Sequence, residues 1–300
     1  MIDIIIPCYN SHKTIDRCLA SIVTQNKECT VTLVNDGGEN YSDIIKRYPL
    51  NIREIGYKEN KGVGNARNYG LEQTSNDLVM FMDSDDALSN VFTLSMLEKE
   101  MSKSTILISN FLEEIKPNEV TIHSKDTGFL HGKIYRREYL DKHNILFNNT
   151  KCNEDVGFNI LSLLLIQNEK VSFSDFISYY WLYNENSIIR KDNYAYLHRD
   201  SIIGFAENML WVFKELEKRN VDNTRILMEK VSVMHRLFHL LKRTYNTPYR
   251  NICLEPIRRY FKSIYRPIEQ SITEEVLQAV NEALPTDKKE FKQFIGSLRR

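Results

Sequence analysis

The feature that most restricts this chain is how its first hundred residues alternate short apolar runs with amphipathic segments, each run ending on a polar cluster. Ile2-Asp3-Ile4-Ile5-Ile6 reads as a strand closed by Pro7. Ile15, Cys18, Leu19, Ile22 and Val23 recur at helical spacing, behind a cap at Asn10 or Ser11. Thr30–Val34 is a second strand, stopped by Asn35-Asp36-Gly37-Gly38. A short helix near 41–47, a strand over 51–56, a glycine-opened helix over 62–74 and a strand over 78–82 complete the series. This order predicts an α/β fold with a mostly parallel, Rossmann-like sheet covered on both faces. Ligands of such sheets lie beyond the carboxyl ends of the strands. Pro7-Cys8-Tyr9-Asn10, Asp36-Gly37-Gly38 and Asp83-Ser84-Asp85-Asp86 all fall at those ends, so one crevice is expected to gather them.

The last of these clusters carries the most chemistry. Three carboxylates within four residues at a strand end are costly unless something positive occupies the site. Hard divalent cations take oxygen ligands, and Mg²⁺ or Mn²⁺ commonly shares a carboxylate with substrate phosphates. The competing reading is a solvated turn, with Asp85 or Asp86 capping the next helix. Asp36 is placed to accept the ring N–H of a pyrimidine or a ribose hydroxyl; an Asx-turn is the alternative. Asn60-Lys61-Gly62-Val63-Gly64-Asn65-Ala66-Arg67-Asn68-Tyr69-Gly70 leads into a helix through glycines, which can bring backbone N–H groups toward phosphate, with Arg67 adding a cation of bidentate geometry. It is neither a Walker A loop nor a GxGxxG fingerprint.

These pieces together resemble a family 2 glycosyltransferase with the nucleotide-sugar-binding GT-A fold. The matching elements are Ile5–Asn10, Val34–Gly38, Asn60-Lys61-Gly62 with Ala66–Gly70, and Met82–Asp86. Gly132-Lys133-Ile134-Tyr135-Arg136-Arg137 and Asn153-Glu154-Asp155 follow in the same order. The resemblance covers about residues 1–190. It implies that Pro7, Tyr9 and Asp36 surround the base and ribose of a nucleoside diphosphate, usually UDP. Arg67 would lie near the base or diphosphate, with Asp83 and Ser84 at the ribose or metal. Asp85, with Asp83 beside it, would hold Mn²⁺ or Mg²⁺, leaving Asp86 a helix cap or a supporting partner. Asp155 would be the catalytic base of an inverting displacement, with Glu154 the second choice; capping of the 155–166 helix is the alternative. Such a displacement needs a base for the acceptor hydroxyl and a Lewis acid for the leaving diphosphate, and no covalent nucleophile. The chain departs from the pattern in one respect. No basic residue precedes Ser187 in the segment Tyr179–Ile188, which leaves Arg190 or Lys191 as substitutes at the diphosphate.

Residues 103–190 read as mixed α and β, with strands near 105–110, 120–123, 171–173 and 177–182 and a helix over 155–166. From about Tyr194 the chain is helical, punctuated by Pro248, Pro256, Pro267 and Pro285. The expected division is a catalytic region over 1–192 and a helical region over 193–300 that binds acceptor, forms homo-oligomers, or both. Net charge is zero overall, yet residues 225–266 hold ten Lys or Arg against Glu229 and Glu255. A basic segment on an otherwise acidic chain suits a polyanionic or glycan acceptor, or an anionic membrane surface. Arg236, His239 and Arg243 share a helix face there. A cell-surface glycan or phosphate-rich polymer is the first reading of the acceptor. DNA carrying a hydroxylated base is the alternative, and a catalytically silent nucleotide-sugar-binding protein is the rival of another class. Five cysteines with no CxxC pattern support neither a disulfide framework nor a zinc site. With no signal peptide and no spanning segment expected, the sequence suggests a cytoplasmic protein, peripheral at most to the inner membrane face.

Overall fold

The computed structural model describes residues 1–299. The chain divides into two compact units, Met1–Asn149 with Ile166–Glu185, and Thr150–Leu165 with the chain from Asn186 onward.

The first unit is built on one nine-stranded sheet. Its strands are β1 (Ile2–Cys8), β2 (Cys29–Asp36), β3 (Asn51–Tyr57), β4 (Leu78–Phe81), β5 (Ala87–Leu88), β6 (Ile106–Lys116), β7 (Glu119–His123), β8 (Lys133–Arg136) and β9 (Val171–Trp181). Its helices are α1 (Ile15–Val23), α2 (Ser42–Ile45), α3 (Val63–Glu72), α4 (Thr93–Glu100) and α5 (Arg137–Lys142). The order is β3-β2-β1-β4-β8-β6-β9-β5, with β7 pairing β6. β3, β2, β1 and β4 run parallel, whereas β8 runs antiparallel to both β4 and β6. The alternating sequence thus yields the α/β sheet it predicts. β1 is buried at every position, as expected of a parallel strand covered on both faces. The chain winds outward from β1 through β2 to β3, then returns to place β4 on the other side of β1. The topological switch therefore lies between β1 and β4, where this class of sheet opens a ligand crevice.

Several local readings shift. The α1 cap is Thr14, while the Ser11 carbonyl accepts the N–H groups of Thr14 and Ile15. The two short strands expected over 171–182 are one strand, β9, whose register against β6 slips twice, between Ser174 and Ile177 and between Ile177 and Tyr179. β5 has only two residues, and β8 has just Ile134-Tyr135 between two cations, so neither shows as an apolar run.

The second unit is helical: α6 (Glu154–Leu164), α7 (Ile188–Lys191), α8 (Asn193–Ala195), α9 (Ser201–Lys218), α10 (Thr224–Lys242), α11 (Arg250–Tyr260), α12 (Arg266–Ile268), α13 (Glu274–Ala283) and α14 (Lys288–Leu298). Pro256 lies inside α11 rather than ending a helix. By compactness α6 groups with these helices, so the chain passes between units after 149, 165 and 185 rather than once near 192. Packing explains that grouping. The Asn208 amide, buried on α9, donates to the Cys152 carbonyl at 3.1 Å and to Thr150 Oγ1 at 2.6 Å, and a side chain at Gly157 would come within 2.9 Å of its oxygen. No helix among the described residues is long and apolar enough to cross a membrane.

Candidate active site

Three strand ends converge in the first unit. β1 runs out at Cys8 into Tyr9 and Asn10, β2 at Asp36, and β4 at Phe81 just before the acidic cluster. The β1 and β4 ends are tied directly, with Ser84 Oγ donating to Ser11 Oγ at 2.7 Å. Pro7 is buried within β1, whereas Tyr9 is 53% exposed and leaves a ring face open to a ligand.

Asp36 is 3% exposed and bound on both oxygens. Oδ1 accepts the Lys61 N–H at 2.7 Å and Oδ2 the Gly62 N–H at 2.9 Å. Its first task is therefore to anchor the glycine-rich lead into α3. Each oxygen keeps a further lone pair for a ligand. Gly37 (φ +82°) makes the approach possible, since a Cβ there would stand 2.4 Å from the Asn60 nitrogen. Gly62 (φ +94°) caps α3, and a side chain at that position would meet Asn149 Oδ1 at 2.6 Å. Both positions require the left-handed backbone that glycine adopts without strain.

The four residues of the acidic cluster have distinct environments. Asp83, about a third exposed, accepts from Arg67 Nη2 at 2.7 Å, and Arg67 on α3 is itself 4% exposed. Burial works against the Asp83 carboxylate, but Arg67 and then His131 outweigh it and hold its pKa below the usual range. Asp85 is half-buried. Its Oδ2 accepts from the Asn184 amide at 2.7 Å, and Arg17 donates to its backbone carbonyl. Burial, then the charge of Asp83, raise its pKa. Asp86 is completely buried, its Oδ2 accepting from the Tyr179 hydroxyl at 2.7 Å and its Oδ1 from the Leu182 N–H at 2.9 Å. Burial and its two acidic neighbours push its pKa well above the carboxylate range. Asp86 caps no helix, contrary to one expectation from the sequence. The supporting role is the one its bonds describe. The Tyr179 hydroxyl also accepts the Asp83 N–H at 3.1 Å, so one buried side chain braces both ends of the turn.

His131 is a site residue that the sequence reading did not single out. It lies 6% exposed against Tyr179 (ring centroids 4.9 Å) and Trp181 (4.7 Å). Its Nε2 is 3.6 Å from Asp83 Oδ2 and 3.7 Å from Asp86 Oδ2. The signal was one residue outside the matched stretch, immediately before Gly132-Lys133.

A divalent cation fits this site. Burial first, and then their acidic neighbours, raise the pKa values of Asp85 and Asp86, and a bound cation would offset the cost of holding these carboxylates ionised together. Asp83, Asp86 and His131 form a group close enough to share a cation. A cation that must also reach a diphosphate needs accessible oxygens, however. Asp86 and His131 are sealed, whereas Asp83 and Asp85 retain exposure. On exposure, Asp83 and Asp85 are the two that could present oxygens to both a cation and a diphosphate, with Asp86 and His131 buried beside them.

Glu154 and Asp155 open α6 in the second unit, after Asn153 in the left-handed conformation (φ +61°). Glu154 is buried and Asp155 half-buried, so Asp155 is the more accessible of the two. Arg190 and Lys191 end the short helix α7. The basic stripe is less uniform than its spacing suggests. Lys230 is buried, Lys242 pairs with Glu290 at 2.6 Å, and Arg259 pairs with Glu207 at 3.0 Å. His239 turns inward to Thr286 Oγ1 at 2.9 Å, between exposed Arg236 and Arg243.

A mostly parallel sheet with an acidic turn at its switch point defines a class of α/β folds, and comparison with known proteins identifies the family. The glycosyl transferase family 2 model matches residues 3–157. The chain belongs to that family. It is 27% identical over 219 residues to EpsJ of Bacillus subtilis, described as an uncharacterized glycosyltransferase, covering 63% of this chain and 62% of EpsJ. It is 26% identical over 249 residues to the minor teichoic acid biosynthesis protein GgaB of the same organism, covering 72% of this chain and 27% of GgaB. The chain thus spans less than two thirds of either relative. Its fold is similar to S. aureus TarS 1-349 crystallised with UDP-GlcNAc, with a TM-score of 0.67 and 21% identity over 99% of this chain and 91% of that one. The GT-A architecture expected from the sequence is the one observed.

Proposed function

We propose that this chain is an inverting glycosyltransferase that moves a sugar from a nucleoside diphosphate, UDP foremost, to a hydroxyl of a cell-surface glycan or phosphate-rich polymer. The observation that carries the reading is the braced acidic turn at the β1/β4 switch point, with Asp83 and Asp85 accessible and Asp86 buried behind them. Family membership supports sugar transfer. The UDP-GlcNAc bound to TarS supports a UDP donor, and the name of GgaB supports a teichoic-type acceptor.

In this reading Tyr9 stacks on the base or ribose, Pro7 shapes the floor, and Asp36 presents its remaining lone pairs to the nucleoside. Arg67 keeps Asp83 ionised, and Ser84 holds the turn against the β1 loop. Asp83 and Asp85 would hold Mn²⁺ or Mg²⁺, which when bound would supply Lewis-acid stabilisation of the leaving diphosphate. Asp155 takes the proton of the acceptor hydroxyl, with Glu154 beside it at the helix start, where a carboxylate is favoured in its ionised form. Arg190 and Lys191 are the cations nearest in sequence to serve the diphosphate. Exposed cations of residues 225–266, Arg236 among them, contact the acceptor, and the protein works in the cytoplasm at the inner membrane face.

Asp155→Asn tests the assignment. Transfer is expected to be abolished while nucleotide-sugar affinity, measured calorimetrically, stays within a few-fold. Unchanged turnover would refute the base, and release of pyrophosphate in place of UDP would refute the reaction class.

A further inference from the structure

The second unit carries an exposed patch that neither the nucleotide site nor a soluble polyanion accounts for. Tyr194 (53% exposed), Leu197 (40%), Tyr245 (72%) and Ile252 (54%) project from α8, the turn after it, the α10–α11 corner and α11. Contacts link the segments that carry them: Leu197 precedes His198, and Ile252 follows Arg250 by two residues on α11. The Tyr194 ring lies 4.6 Å from His198 and 6.0 Å from Tyr249, and His198 Nδ1 is 2.7 Å from the Arg243 carbonyl. The Arg250 guanidinium sits 6.0 Å from the Tyr245 ring. Arg250 thus stands beside the most exposed aromatic residue among the described residues, and exposed Arg243 lies two residues before it, in the corner Lys242-Arg243-Thr244-Tyr245-Asn246-Thr247-Pro248-Tyr249-Arg250.

We infer that this corner is a foot that seats on an anionic lipid bilayer. Exposed aliphatic and tyrosine side chains ringed by arginines match the headgroup boundary. There apolar tips enter the acyl edge, tyrosines keep a wet hydroxyl, and cations meet lipid phosphates. A soluble polyanion would use the arginines but gain nothing from Leu197 and Ile252. A second copy on a two-fold axis would bring like-charged corners together. The inference deepens the location proposed above and rests on it, and its test reads lipid binding, so its failure leaves the sugar-transfer reading standing.

The experiment is flotation with vesicles of phosphatidylcholine alone or with one part in three phosphatidylglycerol. The protein is expected to float with the anionic vesicles only, and less at high salt. The pair Tyr245→Ser with Ile252→Ser, and separately Arg243→Gln with Arg250→Gln, should each weaken binding about tenfold. UDP affinity and melting temperature serve as controls for folding. Three results would overturn the inference. These are equal partition onto neutral and anionic vesicles, wild-type binding by both double variants, or a solution dimer that the Tyr245/Ile252 pair dissolves.

Discussion

Arg67 on α3 donates to Asp83 beyond β4 at 2.7 Å, so the cation that the sequence suggested for a substrate phosphate is committed first to the protein's own acidic turn. This pairing sets the charge of the site before any ligand arrives. Replacing Arg67 with Met removes the cation and keeps most of the volume. With Asp83 partly exposed, the expected loss of stability is roughly 1–3 kcal/mol, below the range for fully buried pairs. Nucleotide-sugar affinity should fall with it. Denaturant titration and calorimetry measure the two losses, and a variant as stable as wild type would mean that the pair adds nothing.

Tyr179 links the Asp83 N–H to the Asp86 carboxylate from within the core. Tyr179→Phe leaves both without that partner, and Asp86 is fully closed to water. An expected cost of about 1–3 kcal/mol follows, readable in urea. The turn should also lose its fixed geometry, so the response of melting temperature to UDP with Mn²⁺ should shrink.

Asp85→Asn and Asp86→Asn separate the metal pair from its support. Mn²⁺ with UDP at a hundred times its dissociation constant stabilises a folded protein by about 2.7 kcal/mol. Asp85→Asn should abolish the Mn²⁺-dependent part and leave the apo protein near wild-type stability. Asp86→Asn should chiefly lower apo stability, because its two donors are buried. The reverse pattern in a thermal-shift series would move the cation to the inner group of Asp83, Asp86 and His131.

Acid should weaken the helical unit through His235. Its Nδ1 is 3.1 Å from Thr286 Oγ1, which also faces His239 Nε2 at 2.9 Å. The Thr286 hydroxyl donates to the Leu284 carbonyl at 3.0 Å, so its oxygen is left to accept from the two imidazoles. Burial, and then His239, lower the His235 pKa from 6.5 to about 4. The folded pKa is below the unfolded one, so the unfolded chain binds the proton first. This contribution is fully present above pH 6.5 and is lost as pH falls toward 4, by about 1 kcal/mol per pH unit at most. Urea titrations across that window should show the slope, and His235→Asn should flatten it.

Much of the first unit was legible from its residues. β1, β2 and β4 announced themselves as apolar runs stopped by turn formers, and the parallel order placed their ends in one crevice. β5 went unread because two residues carry no period, and β8 because Ile134-Tyr135 between Lys133 and Arg136 is not an apolar run like β4. Their existence depends on neighbours already in place.

What the sequence alone determined was local. Side-chain patterning gave most of the strands and the longer helices, glycine and asparagine marked the turns, and three carboxylates in four residues identified the acidic strand end. The division of labour inside that cluster came only with the tertiary structure. Tyr179 stands 93 residues from Asp86, and Asn184 stands 99 from Asp85. Sheet order brings His131, which precedes β8, beside β4. Such partners follow from pairings between distant strands, and no local pattern encodes them. The identical side chains of Asp83, Asp85 and Asp86 therefore acquire three different environments, one paired with arginine, one held by an amide, and one sealed beneath a tyrosine.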